Sequence, residues 1–128
     1  MRILLDTHSF LWFSTDNERL SAAAKNLIED PGNEIFLSVV VGWEIAIKAS
    51  LGKLSLAQPV DVILNRALQS SRWKLLGIEV RHLGVLSTLP FHHRDPFDRL
   101  LVAQSMVDDL PFVSNDMKLD DYGVSRQW

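Results

Sequence analysis

The 128-residue chain contains no cysteine. Disulfides, thiolate metal ligands and zinc-ribbon architectures are therefore excluded, and nothing argues for an oxidising compartment. Long apolar runs are also missing. The opening segment Met1-Arg2-Ile3-Leu4-Leu5 meets an acid at Asp6, too early for a signal-peptide core, and no later stretch reaches membrane-spanning length. A cytoplasmic protein without membrane attachment is expected. Basic charge is in deficit: 16 acids stand against 13 Lys and Arg, a net charge of −3, so whole-molecule attraction cannot draw a polyanion to the surface. Any nucleic-acid contact has to use local basic patches. The glycines Gly42, Gly52 and Gly84 form no phosphate-cradling motif, and there is no internal repeat, low-complexity tract or linker.

What is present is a globular composition, 47% hydrophobic and 23% charged, which rules out disorder. The length fits one domain, residues 1–128, able to bury about two-thirds of its unfolded surface. Arg2 to Leu5 reads as a short buried strand, and Leu20, Ala23, Ala24, Leu27 and Ile28 fall at helical spacing. Pro31-Gly32-Asn33 breaks that helix. Glu34 to Leu37 gives a second strand, Ser38 is a plausible N-cap for a helix from Val39 towards Leu51, and Gly52 stops it. Pro59 suits the first turn of a helix carrying Val60, Ile63, Leu64, Ala67 and Leu68. Lys74 to Val80 is a third candidate strand, Val85 to Leu89 a short helical stretch, and Pro90 to Arg94 a loop. Asp95-Pro96 then starts a helix running to about Val107, and Phe112 to Ser114 is a brief fourth strand. Alternating strands and helices predict an α/β fold with a mainly parallel sheet covered on both faces.

In an open parallel sheet, ligands bind beyond the carboxyl ends of the strands. Asp6 follows the first strand, Asp116 follows Phe112-Val113-Ser114, and Glu44 sits in the helix after the second strand. Asp98, at the start of the long helix, faces the same edge if the connection is a standard crossover. Carboxylates gathered this closely repel one another and are tolerable mainly around a cation, and oxygen-only ligands favour Mg2+ or Mn2+. Such an ion polarises phosphoryl oxygens and activates water, the chemistry of a nuclease.

Each acid also has a structural reading. Asp95 and Asp98 occupy N-cap and N3 positions around Pro96. Glu44 is spaced to pair with Lys48 at i,i+4, although its otherwise apolar helix argues for a polar role. Asp6 can organise a turn with Thr7, and Asp116 one with Met117 and Lys118. His8, His82, His92 and His93 show no metal-binding spacing and read as solvated or packing residues; Trp12, Phe13, Trp43 and Phe97 read as core or interface aromatics.

Four ordered blocks carry a resemblance: Leu4-Leu5-Asp6-Thr7-His8; Trp43-Glu44-Ile45-Ala46-Ile47-Lys48 with Leu51-Gly52-Lys53-Leu54; Asp95-Pro96-Phe97-Asp98-Arg99-Leu100-Leu101-Val102-Ala103-Gln104; and Ser114-Asn115-Asp116. Nearly end to end, the chain resembles the PIN-domain family and, within it, toxin ribonucleases of the VapC type from bacterial toxin–antitoxin pairs. The resemblance implies a three-layer sandwich with a four- to five-stranded sheet. It implies Asp6, Glu44, Asp98 and Asp116 around Mg2+ or Mn2+, with Asp95 as an extra acid and Thr7 and Asn115 supporting the ligands. It also implies RNA cleavage, a homodimer or a higher toxin–antitoxin assembly, and a small antitoxin covering the site. Many relatives have Thr where Ser114 stands, and the fourth acid is the family's most variable ligand. Lys48, Lys53, Arg94 and Arg99 are candidates for phosphate contact, or else surface charges. Two other classes compete: a catalytically silent module binding RNA or protein, and a phosphoryl-accepting receiver or phosphatase. The latter is disfavoured because Asp6-Thr7-His8 lacks an Asp-any-Asp pair and the third strand ends without an acid.

Overall fold

A computed structural model describes residues 1–128. The order of elements is β1 (Arg2–Leu5), α1 (Thr7–Ser14), α2 (Ala22–Glu29), β2 (Glu34–Ser38), α3 (Val39–Ser50), α4 (Val60–Leu68), β3 (Trp73–Leu76), α5 (Val80–Leu86), α6 (Pro96–Asp108), β4 (Phe112–Val113), a 3-10 helix (Met117–Tyr122) and β5 (Arg126–Gln127). The five strands form one wholly parallel sheet in the order β3-β2-β1-β4-β5. Ile3, Leu4 and Leu5 of the central strand point alternately to the two faces yet are all fully buried, so helices cover both sides. The fold is the expected α/β sandwich.

The core joins these strands to Phe10 of α1, Ile28 of α2, Ile45 of α3 and Leu101 of α6. Truncating Phe10, which is completely buried, costs about 3–5 kcal/mol in such surroundings. Gly42 lies where α3 meets α4: a Cβ there would meet Leu64 Cδ1 at 2.6 Å, so a larger residue requires the Leu64 side chain to move aside. At the other end of α3, Gly52 takes φ 71°, left-handed backbone that glycine adopts without strain.

Several boundaries differ from the sequence reading. The third strand is confined to Trp73–Leu76 rather than running from Lys74 to Val80, because Val80 opens α5 and Gly77 intervenes. The Glu79 N–H donates to His82 Nδ1 at 2.9 Å, a capping contact that starts α5 there, so this helix is Val80–Leu86 rather than Val85–Leu89. Pro59 stands at the cap of α4, one residue ahead of its first turn. Three further elements, α1, the 3-10 helix and β5, lie in segments to which the sequence pattern assigns no element.

The chain runs outward from β1 through β2 to β3, then returns across β1 to β4 and β5. The reversal between β1 and β4 is a topological switch point, where the chains leaving the two strands diverge and open a crevice. Asp6 and Ser114 are the residues directly beyond those strand ends.

Candidate active site

At this crevice lies a cavity of about 330 Å³ lined by Asp6, Thr7, His8, Glu44, Lys48, Asp95, Asp98, Asn115 and Asp116, with no apolar side chain among them. All four acids singled out in the sequence, together with Asp95, Thr7 and Asn115, border it. A larger groove of about 420 Å³ elsewhere, walled by Leu11, Phe13, Ile63 and Trp73, contains no acid and offers no comparable chemistry.

Local structure explains each position. Asp6 is the N-cap of α1: its Oδ1 accepts the Ser9 N–H at 2.8 Å, which fixes the carboxyl where β1 gives way to helix. Burial pushes its pKa above the ordinary carboxylate value, opposed by hydrogen bonds from Ser114 and Ser9 that favour the charged form. Asp95 caps α6, accepting from Phe97 N at 2.8 Å and Asp98 N at 3.3 Å, with Pro96 in the first turn. Asp98 then stands in that first turn. Its carboxyl is pushed up to about 7, by burial first and then by the negative charges of Asp95 and Glu44.

Glu44 is 3% exposed. Its Oε1 accepts from Thr7 Oγ1 at 2.6 Å and its Oε2 pairs with the Lys48 ammonium. The i,i+4 ion pair and the buried polar position thus coexist. Lys48 is held above its ordinary pKa, chiefly by the hydrogen bond to Glu44.

Asp116 caps the 3-10 helix through Lys118 N at 3.1 Å, and its Oδ2 lies 2.6 Å from His93 Nε2. A carboxylate accepts, so Nε2 is the donor. Burial acts to raise the Asp116 pKa, but the His93 hydrogen bond, the Lys118 N–H and their charges outweigh it, and the net direction is downward. His93 in turn stacks on Tyr122 and has the Tyr122 hydroxyl 3.1 Å from Nδ1.

His93 therefore corrects the expectation of a solvated or packing residue: it buttresses an acid of the cavity. Twenty-three positions separate the two residues, and no local spacing signals the contact. His8 also borders the cavity, with its ring stacked on Trp12. Arg99 is a second correction. Rather than offering a free guanidinium to phosphate, it is 7% exposed, donates to the carbonyls of Pro90, Leu86 and Leu89, and lies over the Phe91 ring. It pins the loop before α6. Lys53 and Arg94 are exposed but do not line the cavity; Lys48 does.

The donor set is oxygen-rich and strongly acidic, which suits a hard divalent cation. As they stand, no three of these acidic or histidine side chains are arranged to hold a metal ion, Glu44 being drawn to Thr7 and Lys48.

A wholly parallel sheet of order β3-β2-β1-β4-β5 with an acid-lined cavity at its switch point defines an α/β fold carrying a carboxylate site, and the PIN domain family model matches residues 3–124. The chain belongs to the PIN domain family. It is 30% identical over 125 residues to ribonuclease VapC22 of Mycobacterium tuberculosis, spanning 97% of this chain and 94% of that protein. Among solved structures it is similar to VapBC2 from Rickettsia felis bound to a DNA fragment from its promoter (TM-score 0.73, 15% identity, 99% and 98% of the two chains). It is also similar to VapBC-1 from nontypeable Haemophilus influenzae (TM-score 0.66, 14% identity, 99% and 97% of the two chains).

Proposed function

We propose that the protein is a Mg2+- or Mn2+-dependent endoribonuclease acting as the toxin of a toxin–antitoxin pair. The observation that carries this reading is the convergence of five carboxylates, from four separate segments of the chain, on one cavity with no apolar lining. Asp6 and Asp98 would anchor the ion, with Glu44 and Asp116 completing the ligand set and orienting the attacking water. A bound divalent ion supplies Lewis acidity and lowers the pKa of water. Asp95 fixes the start of α6, and hence Asp98, through its two backbone hydrogen bonds. Thr7 steers Glu44, and Asn115 sits where it can hydrogen-bond substrate or ligand. Lys48 is the cavity's one lysine and the best placed to meet a phosphate.

A relative named a ribonuclease supports an RNA substrate, and a toxin–antitoxin complex from Klebsiella pneumoniae with a similar fold supports a small antitoxin partner. Val39, Trp43 and Ile47 of α3, with Leu51 at its C-cap, form an exposed apolar stripe at i,i+4 spacing, which supports a homodimer. The test is RNA cleavage by purified, antitoxin-free protein with Mn2+, comparing wild type with Asp6→Asn. Cleavage that is lost with the variant and on chelation supports the reading; full retention by a folded Asp6→Asn protein refutes it.

One observation favours a second reading, a silent module that binds RNA or protein: Glu44 is engaged by Thr7 and Lys48 rather than turned toward the other acids. Wild-type protein that holds RNA for hours with Mn2+ and never shortens it would establish that alternative.

A further inference from the structure

Five acids border the cavity, and Lys48 is the only Lys or Arg side chain there. Its position follows from helix geometry: one turn after Glu44 on α3, it presents its ammonium to the same face. The pairing is asymmetric. Glu44 is 4% exposed at its side chain whereas Lys48 is 36% exposed, so the ammonium reaches in from the rim while the carboxylate is locked at the wall. The second oxygen of Glu44 is taken by Thr7. Each carboxylate oxygen keeps a free lone pair, so the Thr7 bond is compatible with metal ligation, but the Lys48 ammonium puts a positive charge where a divalent ion on Oε2 would sit.

We propose that Lys48 is the resident counter-ion of the carboxylate cavity, clamped to Glu44 and competing with the divalent ion for that carboxylate. The inference rests on the metal-site reading above and deepens it. An ammonium tethered by four methylenes supplies one positive charge where the cluster calls for two or more, so it holds the acids together in the ion-free protein and yields when a divalent ion arrives. Its release would leave a cation at the mouth of the cavity, on the side from which an anionic substrate approaches. A fixed surface charge at the same place would also oppose the ion by simple repulsion, so the outcome specific to the counter-ion role is the opening of the Lys48–Glu44 pair when the ion binds.

The experiment compares wild type with Lys48→Met and Lys48→Gln, stripped with chelator, by Mn2+ calorimetry and thermal melting. Removing the competitor should tighten Mn2+ binding about 3- to 10-fold, the range expected for a partly exposed charge pair. It should also lower the melting temperature in chelator by several degrees, a loss that saturating Mn2+ restores. Should the variants be too unstable without metal, the wild type alone provides the readout: with lysines labelled at Cε and Nζ, the Lys48 NMR signal should shift on Mg2+ saturation as its ion pair opens. Equal or weaker Mn2+ binding by both variants, or a Lys48 signal indifferent to Mg2+, overturns the proposal. Absence of Mn2+ binding by wild type overturns it together with the metal-site reading, whereas normal wild-type binding without tightening in the variants overturns the counter-ion role alone.

Discussion

The two ends of α6 carry acid clusters that are solved in opposite ways. At the C-terminal end, Asp108 sits where the helix dipole is unfavourable to an anion. There both oxygens are matched to cations or donors: Oδ1 accepts from Arg81 at 2.5 Å and Oδ2 from His82 Nε2 at 2.7 Å. Because the Glu79 N–H donates to His82 Nδ1, the remaining ring proton is fixed on Nε2, and Arg81 also pairs with Glu79. At the N-terminal end, Asp98 has the favourable dipole but negative neighbours, Asp95 and Glu44, and its carboxyl is pushed up to about 7, burial being the largest cause. A cluster whose carboxylate oxygens all find donors marks a structural joint; one that leaves negative charges facing each other marks a site that expects something from outside the chain.

The same acid-to-amide change should therefore act in opposite senses at the two ends. The largest effect expected is on activity: Asp98→Asn should lower RNA cleavage on the order of 100-fold or more, the scale of removing a group that stabilises charge in the transition state. In chelator the variant should melt no lower than wild type, because the substitution relieves repulsion. Asp108→Asn should leave kcat within about 2-fold but destabilise the fold by about 1–3 kcal/mol, since an amide has one acceptor oxygen for two donors and His82 is fully buried. Denaturant titration and a cleavage assay on both variants decide the matter. Loss of stability in Asp98→Asn, or loss of chemistry in Asp108→Asn, would erase the distinction.

The pH dependence sharpens it further. A carboxyl whose folded pKa lies above its unfolded value of 3.8 binds its proton more tightly in the native state. Stability contributed by protonated Asp98 is thus fully present below pH 3.8 and falls as pH rises toward about 7, beyond which the slope vanishes. After discounting for solvent screening of a partly exposed group, the loss in chelator should be on the order of 1–2 kcal/mol across that window. Saturating Mg2+ should flatten the upper part of the slope, and Asp98→Asn should remove this component altogether. A wild-type curve in chelator identical to that of the variant would show that Asp98 is not the group responsible.

Regions where burial imposes a strong pattern were legible in the sequence. The continuous apolar run Ile3-Leu4-Leu5, the capped start at Asp95-Pro96 and the Ser38 cap of α3 all appear where residue chemistry puts them. The helix Thr7–Ser14 did not stand out, because β-branched, hydroxyl and aromatic residues dominate it; it is held by the Asp6 cap and by burial of Phe10 rather than by propensity. The two-residue strands β4 and β5 are defined by their neighbours more than by their own composition. In the candidate site, acids next to strand ends or helix starts could be located from position alone. Arg99 misled because adjacency in sequence to Asp98 means a rotation of about 100° on a helix, which carries the guanidinium away from the cavity.

His93 and His82 extend the contrast to the histidine partners and give the smallest effect. Each imidazole donates from Nε2 to an aspartate, yet His82 is sealed inside the balanced joint whereas His93 supports an acid that faces the cavity. Tyr122 holds the His93 ring through stacking and its hydroxyl, so the ring's position is set independently of the acid. Replacing His93 with Ala frees the Asp116 carboxyl to rotate while leaving its Lys118 N–H bond intact. Cleavage should fall about 3- to 10-fold, mostly in kcat, on the scale of one ordinary hydrogen bond net of its exchange with water. His93→Asn, which can offer an amide donor from a shorter side chain, should recover part of the loss, and neither variant should shift the denaturant midpoint as far as Asp108→Asn does. A His93→Ala protein with unaltered kcat would reduce the contact to packing and leave Asp116 positioned by its cap alone.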